Sequence, residues 1–562
     1  MPLALNRFPI EILRMIFDYF WAHEILYMFF NINDHFNRIL FAYDQYRINF
    51  QSIRKTHFDL VCRLIRPEQV ISLILADQKQ TPCQSQLFQT LFRIEKFTRL
   101  RSLKLIELAD DGQSLLSKLY KLQRLVSLEI NIRFDLPLIK ALPPIKTLII
   151  NLPSDVQFDI RRSIGSLSLE YVRHLSISYC SFGAFLHFFN EMPQLKSFKT
   201  SLFLWKPMEV NLFAYIHKIQ ITPVDLVSLS LTIDAPALEL TNHHFELFLT
   251  PFQRLQQFEL IIKTYLDHEF LNANHWEKLI VEHLPKLMTF NFKFPASFDE
   301  REIIDRFRSP FWLNKHWFVA FDSQSQRLFT VPHFASTETR NSIQSVSSDW
   351  TTLPLEQHSI FYDRVNQLKY ESGQSEHPYR YNHVKKLIFN DPYMYDNIVD
   401  LSKVESLIIN TSDWPLDKIV QLIKTAMPCV NYLRLNCSQT SLRNKYFPDI
   451  SLPQIRRLSL PQFGRRKEKI QFNWSKVFPC VERLTASINS KNQIVFLIDH
   501  FNNMLDGFFV LDEYHFDKIK ITREWLKQHS CRLKREKKEN GFACEINDKY
   551  SFSLCLWMSE NK

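Results

Sequence analysis

The sequence predicts an α/β chain: a short cluster of three N-terminal helices, then an irregular solenoid of parallel strands and helices. The expected shape is a horseshoe, with strands on its concave face and helices on its convex face. Three observations lead there. Residues 8–41 carry apolar side chains at helical spacing. From residue 70 onward a short apolar phrase keeps returning, and proline repeatedly falls two residues ahead of it.

The N-terminal stretch reads Phe8-Pro9-Ile10-Glu11-Ile12-Leu13, then Ile16-Phe17 and Phe20. Proline suits the opening of a helix, because the amide hydrogen it lacks would have no partner in the first turn. Glu11 beside it complements the positive end of the helix dipole. Apolar residues at 12, 13, 16, 17 and 20 make one wide greasy face. The next runs, His23 to Phe30 and Asp34 to Phe41, place Ile25, Leu26, Phe29, Phe36, Ile39 and Leu40 at similar spacing. Three helices this short enclose too little volume to bury all they carry. The surplus must go into the rest of the chain or into a partner.

The returning phrase is apolar, two residues, apolar, one residue, apolar. It runs from Val70-Leu73-Leu75 through Leu100-Leu103-Leu105, Leu125-Leu128-Ile130, Ile145-Leu148-Ile150 and Val172-Leu175-Ile177 to Leu287-Phe290-Phe292. It resumes at Val384-Leu387-Phe389 and continues through Val430-Leu433-Leu435 and Ile455-Leu458-Leu460 to Val481-Leu484. Within a block, neighbouring copies lie 20 to 32 residues apart. Pro193, Pro285, Pro428, Pro453 and Pro479 each precede a copy by two residues. Proline cannot continue a helix and biases the residue before it towards extended backbone, so each unit reads as helix, stop, strand. Phrase and period resemble leucine-rich repeats, whose period is about 20 to 29 residues. Cys180 alone cleanly matches the asparagine or cysteine usual in that family three residues after the strand.

These signals divide the chain into residues 1–45 (helical cluster), 46–294 (first repeat block), 295–380 (interruption), 381–505 (second block) and 506–562 (C-terminal cap). Within the interruption, Lys315 to Phe321 and Arg327 to Val331 flank a polar turn and predict a hairpin. A Ser/Thr-rich segment from Ala335 to Thr352 predicts a mobile loop. In the cap, Phe542 to Ile546 and Tyr550 to Leu556 predict a second hairpin that would cover the last repeat.

Strand alternation sorts side chains by face. With Leu433 and Leu435 inward, Tyr432, Arg434 and Asn436 point outward. The residue before the middle leucine is small and hydroxylated through most of the first block, as at Ser72, Ser102, Ser127 and Ser228. In the second block it becomes Lys386, Ser406, Tyr432, Arg457 and Arg483. Large aromatic and cationic groups dominate binding energy at protein interfaces. Tyr432, Arg434, Arg457 and Arg483 are therefore the candidate partner-binding residues. The alternative is a solvated strand face of ordinary variation.

No known plan for chemistry is present. Seven glycines in 562 residues form no Gly-x-Gly and no Gly-Lys-Ser/Thr, which disfavours nucleotide enzymes of the common folds. His23-Glu24 and His268-Glu269 begin like zinc-protease helices, but Tyr27 and Asn272 stand where the second histidine is needed. No serine lies in a Gly-x-Ser-x-Gly elbow. We therefore expect no catalytic residue, no metal and no cofactor. Basic runs at Arg465-Arg466-Lys467 and Arg532 to Lys538 make nucleic-acid binding the weaker reading, since adjacent glutamates suit solvated charge equally well. No apolar run approaches the roughly 20 residues of a membrane helix. Nine widely spaced cysteines suit reduced thiols, hence cytoplasm or nucleus.

The N-terminal spacing resembles the F-box, the segment by which substrate receptors dock onto a Skp-type adaptor of cullin-RING ubiquitin ligases. Phe8, Pro9, Glu11, Ile12, Leu13, Ile16 and Phe17 match it, with Phe20 and Ile25 at following apolar positions. Phe8 stands where leucine is usual, and Phe36 corresponds to a frequent tryptophan. The resemblance implies that these nine residues bind the adaptor, and through it a cullin scaffold, while the repeats hold a protein target. It also implies a positioning role with no covalent chemistry of the chain's own. The competing reading is a leucine-rich-repeat scaffold whose N-terminal helices only cap the repeats.

Overall fold

A computed structural model of the chain describes residues 8–108, 113–131, 141–152, 169–203, 225–234, 242–263, 268–296, 301–323, 325–340, 350–370, 380–390, 398–411, 414–436, 451–460, 474–488, 490–511, 521–535, 541–547 and 553–559. It is mixed α/β, with two large, mostly parallel, open sheets and helices against them.

Pro9 caps α1 (Ile10–Phe17), and Leu13 and Phe17 are the residues this helix buries. Glu24 reaches back to accept the Trp21 amide hydrogen at 2.8 Å, closing the start of α2 (Ala22–Phe29). Asn33 opens α3 (Asp34–Ala42) by accepting from the Phe36 amide at 2.9 Å. The Tyr43 hydroxyl then donates to Asp18 at 2.6 Å, tying the end of α3 to the end of α1. Behind them, α2 packs on β1 (Tyr46–Asn49) and on α4 (Lys55–Leu64). Leu13, Phe17, Ile25, Phe36 and Ile39 consequently belong to the same continuous core as the first sheet. The helices have no core of their own.

In the first sheet β1 is followed, neighbour by neighbour, by β2 (Val70–Ala76), β3 (Ser102–Ile106), β4 (Ser127–Asn131), β5 (Thr147–Asn151), β6 (His174–Ser181), β7 (Ser197–Phe203), β8 (Ser228–Asp234), β9 (Gln257–Ile262) and β10 (Thr289–Pro295). The middle residues of the repeated phrase line up in one row: Leu73, Leu103, Leu128, Leu148, Leu175, Phe198, Leu229, Phe258 and Phe290. All are buried. The helix Phe182–Glu191 shows how the row is covered: Phe185 stacks on Phe198 at 5.0 Å, and Met192 and Pro193 end the helix just before β7. The expected hairpin forms from β11 (Phe318–Asp322) and β12 (Arg327–Val331) and closes this sheet by antiparallel pairing with β10.

The second sheet starts earlier than the sequence boundary at 381. It runs β13 (Glu338–Arg340), β14 (Gln367–Tyr370), β15 (Lys386–Phe389), β16 (Ser406–Ile409), β17 (Tyr432–Leu435), β18 (Arg457–Ser459), β19 (Arg483–Ile488) and β20 (Asp506–Leu511). β13 lies in the Ser/Thr-rich segment expected to be a mobile loop, whose residues 341–349 are outside the described ones. β14 carries Val365-Leu368-Tyr370, a copy of the phrase disguised by its tyrosine. β20 belongs to the parallel series too, so the second block extends past 505. There Gly507 pairs with Leu484, at the place where other strands hold leucine. A Cβ on Gly507 would lie 2.7 Å from the Phe509 ring, which already fills that space.

The C-terminal hairpin, β21 (Phe542–Asn547) and β22 (Ser553–Met558), pairs antiparallel with β20. Its reach goes further than a cap on the last strand. The Trp557 indole donates to the Ile53 carbonyl at 3.0 Å, packs edge-on against Phe58 at 5.3 Å, and has the Lys55 ammonium 5.5 Å from its ring. Arg54 pairs with Glu482 at 2.9 Å. The end of the second sheet is thus bonded to the start of the first.

Candidate functional site

The N-terminal helices sort the F-box-like residues into two groups. Pro9, Glu11 and Ile12 are exposed, and Phe8, Ile16 and Phe20 are half-buried against the core. Leu13, Phe17 and Ile25 are fully buried, which corrects their expected role. They fill the space between the helices and the first repeat, so they hold the surface in place and do not form it. Apolar residues that sequence reasoning left out are exposed instead: Met15 at 59%, Tyr19 at 85%, Tyr27 at 72% and Ile32 at 55%. Ile12, Met15, Ile16 and Tyr19 follow one another at helical spacing along one side of α1 and the turn after it. The signal for them was present. A helix reading Ile-Glu-Ile-Leu-Arg-Met-Ile-Phe has more apolar residues than one buried stripe can take.

The second sheet brings most of the partner-binding candidates together. Register aligns Lys386, Ser406, Tyr432, Arg457 and Arg483 across β15 to β19. The Arg457 guanidinium lies 5.3 Å from the centre of the Tyr432 ring, a cation–π contact, and donates to Asn431 Oδ1 at 2.8 Å. Arg434 is exposed and donates to Asn436 Oδ1 at 2.8 Å. Asn436 donates in turn to Asn410 at 2.7 Å, and Asn410 to Asn390 at 2.9 Å. This asparagine ladder directly follows three strands, whereas the sequence reading looked for its polar residue two positions later.

Arg483 does not join that surface. Its guanidinium donates to the Ser52 carbonyl at 3.0 Å and pairs with Asp506 at 3.1 Å, so the joint between the two sheet ends consumes it. Burial pushes the Asp506 carboxyl up to about 7, with Arg483 opposing and Glu482 adding to the shift. An unfolded aspartate titrates near 3.9, so the folded chain holds this proton more tightly. The resulting stabilisation is complete below about pH 4 and is lost as pH rises through about 7. Urea denaturation across that window should show wild type losing stability relative to Asp506→Asn. Parallel pH curves would contradict it.

Residues flagged for other chemistry have structural roles. His23 stacks on His57 at 5.6 Å, and Glu24 is the cap of α2. In the second basic run, Arg532 is buried and donates to the Phe501 carbonyl at 2.7 Å, which removes it from any nucleic-acid surface. Residues 465–467 and 536–538 lie outside the described ones. Among the described residues one group could offer a metal three ligands, Glu246, Glu282 and His283 on neighbouring helices. A contact of 3.3 Å between His283 Nε2 and a Glu246 carboxylate oxygen accounts for two of the three without a metal. The described cysteines form no disulfide, and no described helix is long and apolar enough to cross a membrane. Compared with protein-family models and with curated proteins, the chain matches none, so its surfaces carry the functional reading.

Proposed function

We propose that this chain is an F-box substrate receptor of a cullin-RING ubiquitin ligase, acting in cytoplasm or nucleus. In this reading α1 to α3 dock on a Skp-type adaptor, and the two sheets are leucine-rich-repeat blocks of a horseshoe whose concave face holds a protein target. The observation that carries it is the exposed apolar stripe of Ile12 and Met15 on α1 and Tyr19 in the turn after it, next to Pro9, with the buried side of that helix already satisfied by Leu13 and Phe17. Exposed apolar surface gathered on one helix face costs solubility unless a partner covers it. Co-expression with a Skp-type adaptor tests this; failure to co-purify would overturn it.

A second reading, a repeat scaffold capped by its own helices, draws support from the core that α1 to α3 share with the first sheet. The adaptor experiment separates the two. The target surface is tested by reversing charge at Arg434 and Arg457, leaving the structural Arg483 intact. Target capture is expected to fall at least about tenfold, because aromatic and arginine anchors typically contribute 2 kcal/mol or more. An unchanged set of captured proteins would remove these residues from the interface.

A further inference from the structure

We infer that the outward face of β15 to β18 docks an acidic segment of another protein, an extended stretch whose aspartate or glutamate carboxylates meet Lys386, Arg434 and Arg457. That the segment belongs to a captured target rests on the receptor reading; the charge of the surface does not. Strands β14 to β19 contain no aspartate or glutamate, but carry Lys369, Lys386, Arg434, Arg457 and Arg483 on the side opposite their buried leucines. Lys369 and Arg483 are engaged, with Glu338 at 2.8 Å and with Asp506 at 3.1 Å. Glu338 also feels the charge of Lys386, but its ion pair is with Lys369. Lys386, Arg434 and Arg457 have no ion-pair partner among the described residues.

Cations beside this surface are neutralised. Lys385 and Arg456, one position before Lys386 and Arg457, meet Glu405 at 3.0 Å and Glu482 at 3.4 Å. In the first sheet, adjacent strands pair Lys104 with Glu129 at 2.8 Å and Lys263 with Asp234 at 2.9 Å. The two outward arginines are held by neutral amides instead. Arg434 donates through Nε to Asn436, and Arg457 through a terminal nitrogen to Asn431, each at 2.8 Å. Arg457 also leans on the Tyr432 ring. An amide oxygen orients a guanidinium without cancelling its charge, and the other donors remain for a ligand. Fixing a long side chain beforehand reduces the entropy lost when it binds.

The rigid fork of arginine matches a planar carboxylate with two parallel hydrogen bonds. Register sets Lys386 and Arg457 three strands apart, about 14 Å at the usual strand spacing, on a line through Tyr432. Arg434 stands two residues along β17 from that line. An extended segment advances about 3.3 Å per residue, so carboxylates about four residues apart reach both ends of the line. Between Lys386 and Arg434 the outward positions are Ile388 and Ile408, an apolar floor that a peptide tolerates between its charges. Nucleic acid fits less well, because bases stack on free aromatic faces. Tyr432 is the one aromatic residue on the outward side of β15 to β18, and its ring already carries Arg457.

The full-length chain should be titrated, by fluorescence anisotropy at physiological salt, against labelled hexaglutamate, hexaglutamine and a single-stranded oligothymidylate. Arg434→Gln with Arg457→Gln is compared with Lys418→Gln with Lys424→Gln, which removes the same charge from the exposed side of the helix Leu416–Ala426. We expect saturable hexaglutamate binding, weakened about tenfold or more in the arginine pair and little changed in the lysine pair, as for loss of charge-assisted hydrogen bonds. Should the arginine pair melt early, Arg434→Gln alone, exposed and tied to Asn436, should still lose affinity several-fold at an unchanged thermal midpoint. Equal loss in both pairs, no loss in either, or equal affinity for hexaglutamine would overturn the docking site. Oligothymidylate binding as tightly through the same arginines would overturn the acidic peptide in favour of nucleic acid. Loss of adaptor capture with arginine-dependent hexaglutamate binding intact would sink the receptor reading and leave the acidic site standing.

Discussion

Replacing both Ile12 and Met15 by glutamate is expected to abolish capture of a Skp-type adaptor while leaving the chain folded. Both side chains are exposed, at 39% and 59%, so their charge costs the isolated chain little. At an interface the same charges would be desolvated without partners. Losing two central apolar anchors of about 1.5 to 2 kcal/mol each already implies a loss of affinity of 100-fold or more. Leu13→Ala provides the contrast. Leu13 is fully buried, and truncating a core leucine typically costs about 2 to 5 kcal/mol. That variant should lower the urea midpoint and weaken capture only through unfolding. A surface double variant that retains full capture would show that the adaptor, if bound at all, sits elsewhere.

Trp557→Ala should produce the largest loss of stability of any single truncation in the C-terminal hairpin. The indole is buried, donates to Ile53, and packs on Phe58 beneath the Lys55 ammonium. Tryptophan-to-alanine changes in cores typically cost about 3 to 5 kcal/mol. Lys55, itself buried and paired with Asp59 at 2.5 Å, would lose its aromatic cover. Hydrogen exchange would place the damage: protection should fall at Tyr46–Asn49 and Lys55–Leu64, hundreds of residues away in sequence. If exchange changed only within the hairpin, the joint would carry no stability.

The repeated row from Leu73 to Phe290 was legible because buried strand positions recur with a fixed spacing that polar neighbours do not blur. Where a copy replaces a plainly apolar residue by tyrosine or glycine the signal failed. Tyr370 hid β14, and Gly507, whose space Phe509 takes, hid β20. The N-terminal surface was half legible. Periodicity finds the greasy residues of α1 but cannot tell Leu13, which faces its own chain, from Met15, which does not. Arg483 reads from sequence as an available cation. Its capture by the Ser52 carbonyl and Asp506 depends on segments far apart in the chain, and no local pattern encodes that.

The bond from Trp557 to Ile53 spans 504 residues. At a synthesis rate of about 5 to 20 residues per second, the segment around Ile53 waits roughly 25 to 100 s on the ribosome for the side chain that covers it. Throughout that interval Phe58 lacks one of its packing partners, and the nascent chain offers an unfinished apolar edge to chaperones. A premature stop anywhere before the last strand would leave that edge permanently bare, so truncated products should be recognised and degraded through their amino-terminal end.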